Sequence, residues 1–542
     1  MCSQRFFDIM LLLPKGCGFL RSPLRLTAAT LAAALLFSLT GCGSGTNSFT
    51  WFVDTIPANL DPQVATDAAD VIACENLYSG LMRRSANYTE NGAVEAALAD
   101  SWTVSADGLT YTFHIPDGLT YTAAKGAATE YAITAEDFVF AFRRMFRPAT
   151  NSPYAVEFSA IENSTAVLDG QLGESSLGVS APDANTLVIR LSEKDENFLS
   201  KLTLPGAMPC DEDFFTSTGG TYGLTTKSTL SSGAFYIYNW TSSGLFLRRP
   251  ASGELIDSLR LVQNTSAADQ SAAELIANER CSAALDDTGA VTALQSIDYA
   301  DTTWCLVFNC DSVFASTELR QALASVARDA AETPNNNLFV AASGLIPDGL
   351  TVDGINYRNA AGDVAPAAVD AAAIYRAARQ GMANSDFNNV TLLLPAGSGL
   401  NHAAEQINGE WQRQFSLFFS IEEAEQEDFE KRLAAGDYTI ALVPISAESG
   451  SVYNVLSQFT TAGGGLASYG NAIYAARLDE SAQQIGSSRC ALLAECERQI
   501  LADCAVVPLF AQQKRLLIAD GVNGLIFDPF GPVLDLTYTT KK

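Results

Sequence analysis

The sequence predicts an α/β protein built on a parallel or mixed sheet flanked by helices. Short β-like runs alternate with helical stretches from Phe49 onward, and no internal repeat is apparent. At 542 residues, 48% of them apolar, the chain can bury a large core, and at ~150 residues per domain it has room for about three domains.

The elements follow from local pattern. Residues 109–115 alternate with period two after a turn at Asp107-Gly108, which predicts a half-buried strand with His114 on its polar face. Thr134 can cap a helix whose first turn holds Glu136 and Asp137, where acids suit the positive end of the dipole. Phe138, Phe142 and Met145 share one face of that helix, and Arg147-Pro148 ends it. Residues 186–191, 233–240 and 255–263 read as strands, and 318–328 and 367–379 as helices. A buried strand at 390–395, a helix near 401–415 and a strand at 438–444 continue the order. The acids in 422–430 form a solvated face.

Composition excludes whole classes of function. With 61 acids against 33 bases the net charge is −28, which repels phosphate backbones and excludes a general nucleic-acid binder. Two histidines, His114 and His402, leave little room for His-based metal sites or triads. Gly-x-Ser-x-Gly, His-Glu-x-x-His and Gly-x-x-x-x-Gly-Lys-Ser/Thr are all absent, and Asp211-Glu212-Asp213 lacks the glycine and spacing of a calcium loop. An enzyme therefore has no anchor in this sequence, and neither a metal nor a cofactor is expected.

The N-terminus reads as an export signal. Four bases precede an apolar stretch at 26–39, too short to span a bilayer comfortably and followed by small residues. The junction Leu39-Thr40-Gly41-Cys42 resembles a bacterial lipobox, which implies removal of residues 1–41 and lipidation of Cys42, with 42–48 as a tether. A plain secretory signal is the alternative, and translation could start further in, for example at Met10. Without residues 1–41 the net charge becomes −31, because that leader holds four bases and one acid. Eight cysteines then remain besides Cys42, without a Cys-x-x-Cys; disulfides and buried free thiols are both compatible with their contexts.

Several ordered segments resemble the oligopeptide/dipeptide/nickel-binding family of ABC-transporter solute-binding lipoproteins. They begin with Leu60-Asp61-Pro62-Gln63, Glu75-Asn76-Leu77-Tyr78-Ser79-Gly80-Leu81 and Leu98-Ala99-Asp100-Ser101-Trp102. Asp107-Gly108-Leu109-Thr110-Tyr111, Thr134-Ala135-Glu136-Asp137-Phe138 and Ser152-Pro153-Tyr154-Ala155 follow. Ser232-Gly233-Ala234-Phe235, Phe308-Asn309, Leu319-Arg320-Gln321-Ala322-Leu323, Ile346-Pro347 and Val507-Pro508-Leu509 complete the series.

The resemblance implies a two-lobed periplasmic-binding-protein-like clamshell with an extra subdomain in the N-terminal lobe. Lobe I would combine 49–80, 205–305 and 500–542, the subdomain would be 81–204, and lobe II 306–499. It further implies a monomer, exported and anchored through Cys42 to the outer face of the cytoplasmic membrane, or on the periplasmic side in a cell with two membranes. Such a protein would capture peptides between its lobes and deliver them to a membrane permease. A non-peptide solute such as a metal chelate, haem or a sugar-like compound is the alternative, with a secreted hydrolase or surface interaction protein behind it.

Carried over by position, Thr66, Asp67 and Ala68 match a loop lining the cleft, and Tyr154 a tyrosine near the bound peptide backbone. Ile445, Ser446, Ala447, Glu448 and Ser449 fall where many peptide binders have Trp-x-Ala-Asp-Tyr. Glu448 would then meet the ligand's α-ammonium group through a charge-assisted bond. Ile445 and Ser449 replace the family's aromatic residues, and no arginine stands in 439–443, where some members carry one.

Overall fold

A computed structural model describes residues 47–86, 94–195, 197–264, 270–289, 292–334, 338–353, 355–447, 450–461, 465–484, 486–530 and 533–542. Cys42 and Glu448 lie outside the described residues.

Two large sheets organise the chain. The first has four strands in the order Ser48–Val53, Ser258–Gln263, Gly244–Arg248, Tyr236–Thr241. Its first pair is parallel and the others antiparallel. Phe49, Trp51 and Val53 alternate inward and pack with Leu259, Leu261 and the helix Ala68–Leu77.

The second sheet is mixed and has seven strands. Its main path runs Ala283–Asp286, Val506–Ile518, Gln295–Phe308, Ile440–Ser446, Thr391–Pro395, Ser420–Ala424, with Phe339–Ala341 also paired to Val506–Ile518. The last three strands of the path are parallel, as the alternation of strand and helix predicts. Both faces of its central strands are covered, so residues 304–308, 391–395 and 440–445 read as near-continuous apolar runs. Cys305, Val307, Leu393, Ala441 and Val443 face one core with the helix Gly486–Ala502; Trp304, Leu306, Leu392, Leu394 and Leu442 face the other with Thr317–Ala330 and Asn401–Phe415.

A third, antiparallel sheet orders Ser101–Val104, Thr110–His114, Thr186–Arg190, Val179–Asp183. The helix Ala135–Phe146 packs here through the fully buried Phe138, Phe142 and Met145. The Asp137 carboxylate accepts from the Thr134 N–H at 2.6 Å and from its hydroxyl at 3.2 Å, joining Thr134 to the first turn. His114 is exposed and sits 2.9 Å from Asp100.

Two strands belong to more than one core. Gln295–Phe308 and Val506–Ile518 pair with each other over nearly their whole length. Ile297, Tyr299, Leu516 and Ile518 pack towards the first sheet, whereas 304–308 and 506–510 lie between the helix layers of the second. Their register slips between Ala300 and Thr302, a bulge at the point where the strand passes from one core to the other.

The eight described cysteines are all free thiols; seven are buried and Cys310 is half-buried. Among the described residues no helix is long and apolar enough to cross a membrane.

Candidate functional site

Many of the motif segments form joints that hold the walls of one large cavity. Asp61, from Leu60-Asp61-Pro62-Gln63, receives the Arg144 guanidinium through two bonds of 2.6 and 2.7 Å. Arg144 also donates to the Gln63 side-chain carbonyl and packs over the rings of Phe215 and Tyr222. Gln63 in turn donates to the carbonyl of Met208 at 2.9 Å, tying three remote segments together. Gly233 comes so close to the Leu77-Tyr78 backbone that a Cβ would lie 2.7 Å from the Tyr78 carbonyl carbon, which explains why that motif position is glycine.

The cavity has a volume of about 1280 Å³. One wall, from segments packed with the first and third sheets, comes from Thr66, the helix residues Val71 and Glu75, Arg84, Tyr154 and Phe527. A second wall, from segments packed with the second sheet, comes from Thr303, Gln513, Gly450 and the 340–349 segment, and residues 297–300 of the long strand also line the cavity. The space exceeds that of a drug-sized pocket and is lined by backbone, aromatic and charged groups together.

The residues singled out in the sequence divide as follows. Thr66 and Tyr154 line the cavity; Asp67 and Ala68 are exposed beside Thr66 but are not among the lining residues. The Tyr154 hydroxyl donates to the Ala65 carbonyl at 2.8 Å, and Ser152 Oγ donates to the Gln63 carbonyl at 2.5 Å. Tyr154 thus braces the loop that carries Thr66, and burial pushes its phenol pKa up. Gly206 makes this possible, because a Cβ there would sit 2.5 Å from Tyr154 Cβ. Ile445 is buried in the second sheet's core, and Ser446 is exposed at the strand end opposite Thr302; neither lines the cavity. The next residue, Ala447, donates its N–H to the Asp301 carbonyl at 2.7 Å.

Other groups at or behind the cavity had no role assigned from the sequence, although Glu75 and Ile346-Pro347 stand in motif segments. Glu75 and Arg84, both in the lining, form a buried ion pair at 2.5 Å. Burial raises the Glu75 carboxyl pKa, and the Arg84 charge opposes that rise. Outside the lining, buried Glu497 accepts from the Leu345 and Ile346 N–H groups, the Tyr357 hydroxyl and Arg358, at 2.8 to 3.2 Å. This carboxylate fixes the Ile346-Pro347 segment, and a Cβ on Gly344 would approach it within 2.7 Å. Among the described residues no group of three or more His, Cys, Asp or Glu side chains is arranged to hold a metal ion.

Known proteins place this geometry in context. Residues 93–466 match the model of the bacterial extracellular solute-binding proteins, family 5. The dipeptide-binding protein of Lactococcus lactis is 28% identical over 221 residues, 40% of this chain and 38% of that protein. The oligopeptide-binding protein AmiA of Streptococcus pneumoniae is 30% identical over 232 residues, 42% of this chain and 34% of that one. The probable deoxycholate-binding periplasmic protein YgiS of Escherichia coli is 28% identical over 186 residues, 34% of this chain and 33% of the relative. These aligned stretches span little more than a third of the relatives' own length.

Solved structures match over more of the chain. The substrate-binding domain of an oligopeptide ABC transporter from Bacillus anthracis superposes with a TM-score of 0.58 at 21% identity, over 92% of this chain and 99% of that one. The unliganded open form of the murein tripeptide-binding protein MppA gives a TM-score of 0.64 at 17% identity, over 92% and 98%. The shared fold is the two-lobed clamshell, and the matching family is one of solute-binding proteins rather than enzymes. From the extent of the family match, the chain belongs to the bacterial extracellular solute-binding proteins of family 5.

Proposed function

We propose that this protein is the capture component of an ABC importer, taking up peptides in the 1280 Å³ cavity and passing them to a membrane permease. The observation that carries the reading is the position of that cavity. It lies against the Gln295–Phe308 strand, which passes from one core to the other, and is walled by residues packed on both. In this reading lobe I comprises 49–80, 205–305 and 500–542, the extra subdomain 81–204, and lobe II 306–499. Closure bends the strand pair near the Ala300/Thr302 bulge.

The ligand lies extended, with much of its affinity from backbone hydrogen bonds. Thr66 and Tyr154 form its wall, and closure brings Asp67 and Ala68 within reach. Ile445 and Ser446 hold the segment that carries Glu448 to the ligand's α-ammonium group. The chain acts as a monomer tethered through lipidated Cys42 on the outer face of the cytoplasmic membrane.

Native mass spectrometry of gently purified protein tests this reading. A heterogeneous set of co-purifying peptides is expected. The relative named for deoxycholate supports a second reading, a non-peptide solute in the same cavity. A single non-peptide ligand would establish that reading and overturn the first.

A further inference from the structure

The charges around the cavity do not balance. Its two basic side chains are both engaged by carboxylates: Arg84 by Glu75 at 2.5 Å, and Lys201 by Asp195 at 2.8 Å. Four further carboxylates line it, Glu157, Asp298, Asp348 and Asp528. Among the described residues Glu157, Asp298 and Asp528 have no cation within ion-pair distance. Arg515 stands opposite Asp298 in register but is bound to Asp286 at 2.6 Å. Asp348 has only Arg358 at 3.9 Å, and that guanidinium is held by Glu497 at 2.9 Å.

A second observation points into the same space. Glu75 is 6% exposed, and its Oε1 accepts no hydrogen bond among the described residues, although Oε2 is bound by Arg84. Thr303, also in the lining, is 1% exposed, and its Oγ1 is likewise unpartnered among the described residues. Buried polar atoms normally find partners, and both residues line the cavity. A ligand that donates hydrogen bonds and carries positive charge supplies what Glu75 lacks and what the four carboxylates attract.

We propose that this cleft selects cationic peptides, those with lysine or arginine side chains beyond the terminal ammonium group. The proposal rests on the peptide-capture reading above and names its substrate class. Fields from several like charges focus within a cleft and are screened over about 8 Å at physiological salt, so the selectivity depends on ionic strength. Negatively charged peptides meet four carboxylates without a free cation among the described lining residues, and their binding is penalised.

The test is calorimetric titration of the purified full chain with Ala-Lys-Ala-Lys-Ala, Ala-Gln-Ala-Gln-Ala and Ala-Glu-Ala-Glu-Ala at 20 mM and 500 mM salt. The lysine peptide should bind at least tenfold more tightly than the glutamine peptide at low salt, with the glutamate peptide weakest. The gap should narrow at high salt. Asp298→Asn with Asp528→Asn should reduce it severalfold. Equal affinity for the lysine and glutamine peptides, or a gap unaltered by the double substitution, would overturn the charge selectivity alone. Failure of all three peptides to bind would overturn the peptide reading and this proposal with it.

Discussion

Lys514 Nζ lies 2.6 Å from Asp301 Oδ2, linking the two long strands at the bulge where they pass between cores. The Asp301 side chain is 4% exposed and the Lys514 side chain 24% exposed, so water screens the pair only in part. Asp301 also accepts the Ala447 N–H through its backbone carbonyl, which ties the end of the Ile440–Ser446 strand to the same point. Replacing Asp301 with alanine should cost about 1–3 kcal/mol, as the loss of a charge-assisted hydrogen bond does. Chemical denaturation of Asp301→Ala and Asp301→Asn measures this, with Asn retaining part of the loss. A change below 0.3 kcal/mol in Asp301→Ala, roughly the size of a neutral surface substitution, would show that the bridge does not stabilise the fold.

The Asp61–Arg144 pair joins the segment after the first strand to the helix Ala135–Phe146. Both side chains are largely buried, so removing one partner leaves a charge without compensation. Arg144→Met should destabilise by about 3–5 kcal/mol. Adding Asp61→Leu should recover a large part of that, because no isolated charge then remains. A double-mutant cycle by urea unfolding checks the coupling; purely additive losses would contradict it.

These joints explain how much of the molecule the sequence makes legible. The helix Asn401–Phe415 and the strand Thr110–His114 are readable because their signals are local: apolar period and a turn at Gly108. The strand expected at 233–240 begins at Tyr236 instead, because Gly233 and Phe235 are already bonded to Leu77 and Asn76. Asp301 and Lys514 stand 213 residues apart, Asp61 and Arg144 83. Pairing at such separations has no local pattern. Glu75 and Arg84 are near in sequence, yet nothing in their spacing shows that the pair is buried against a cavity. Thr66 and Tyr154 were found by resemblance to a family, whereas Thr303 and Glu497 carry roles visible only once the strands are assembled.

Asp137 sets a pH dependence whose sign can be stated. Burial, with Asp211 and Glu136 nearby, raises its carboxyl pKa to about 7 against hydrogen bonds from Thr134. The folded chain therefore holds this proton where the unfolded chain has lost it. Stability contributed by the protonated group is complete below about pH 4 and is lost as pH rises towards 7. At about 1.4 kcal/mol per pH unit, the upper bound on the change is about 4 kcal/mol. Asp137→Asn should flatten the stability profile between pH 4 and 7 in thermal or urea unfolding. A profile unchanged by the substitution would remove Asp137 as its source.

The eight cysteines give a redox prediction. With Cys74, Cys210, Cys281, Cys305, Cys490, Cys496 and Cys504 buried, only Cys310 among the described thiols is partly accessible. Burial raises the thiol pKa of Cys305 and pushes that of Cys210 up to about 12, which suppresses the reactive thiolate. Brief alkylation of the native protein followed by peptide mapping should modify Cys310 first and leave the seven buried thiols intact. Full modification should need denaturant but no reductant. A mass increase of the denatured chain on reduction, at these eight positions, would reveal a disulfide that the structure does not have.

The central claim is that peptides bind in the cavity against the strands shared by both cores. Hydrogen–deuterium exchange with and without saturating Ala-Lys-Ala-Lys-Ala measures this most directly. Protection is predicted at residues 65–66, 297–303 and 340–349, segments from both walls of the cavity. Protection confined to one wall or to a surface away from the cavity, or none at saturation, would contradict the account.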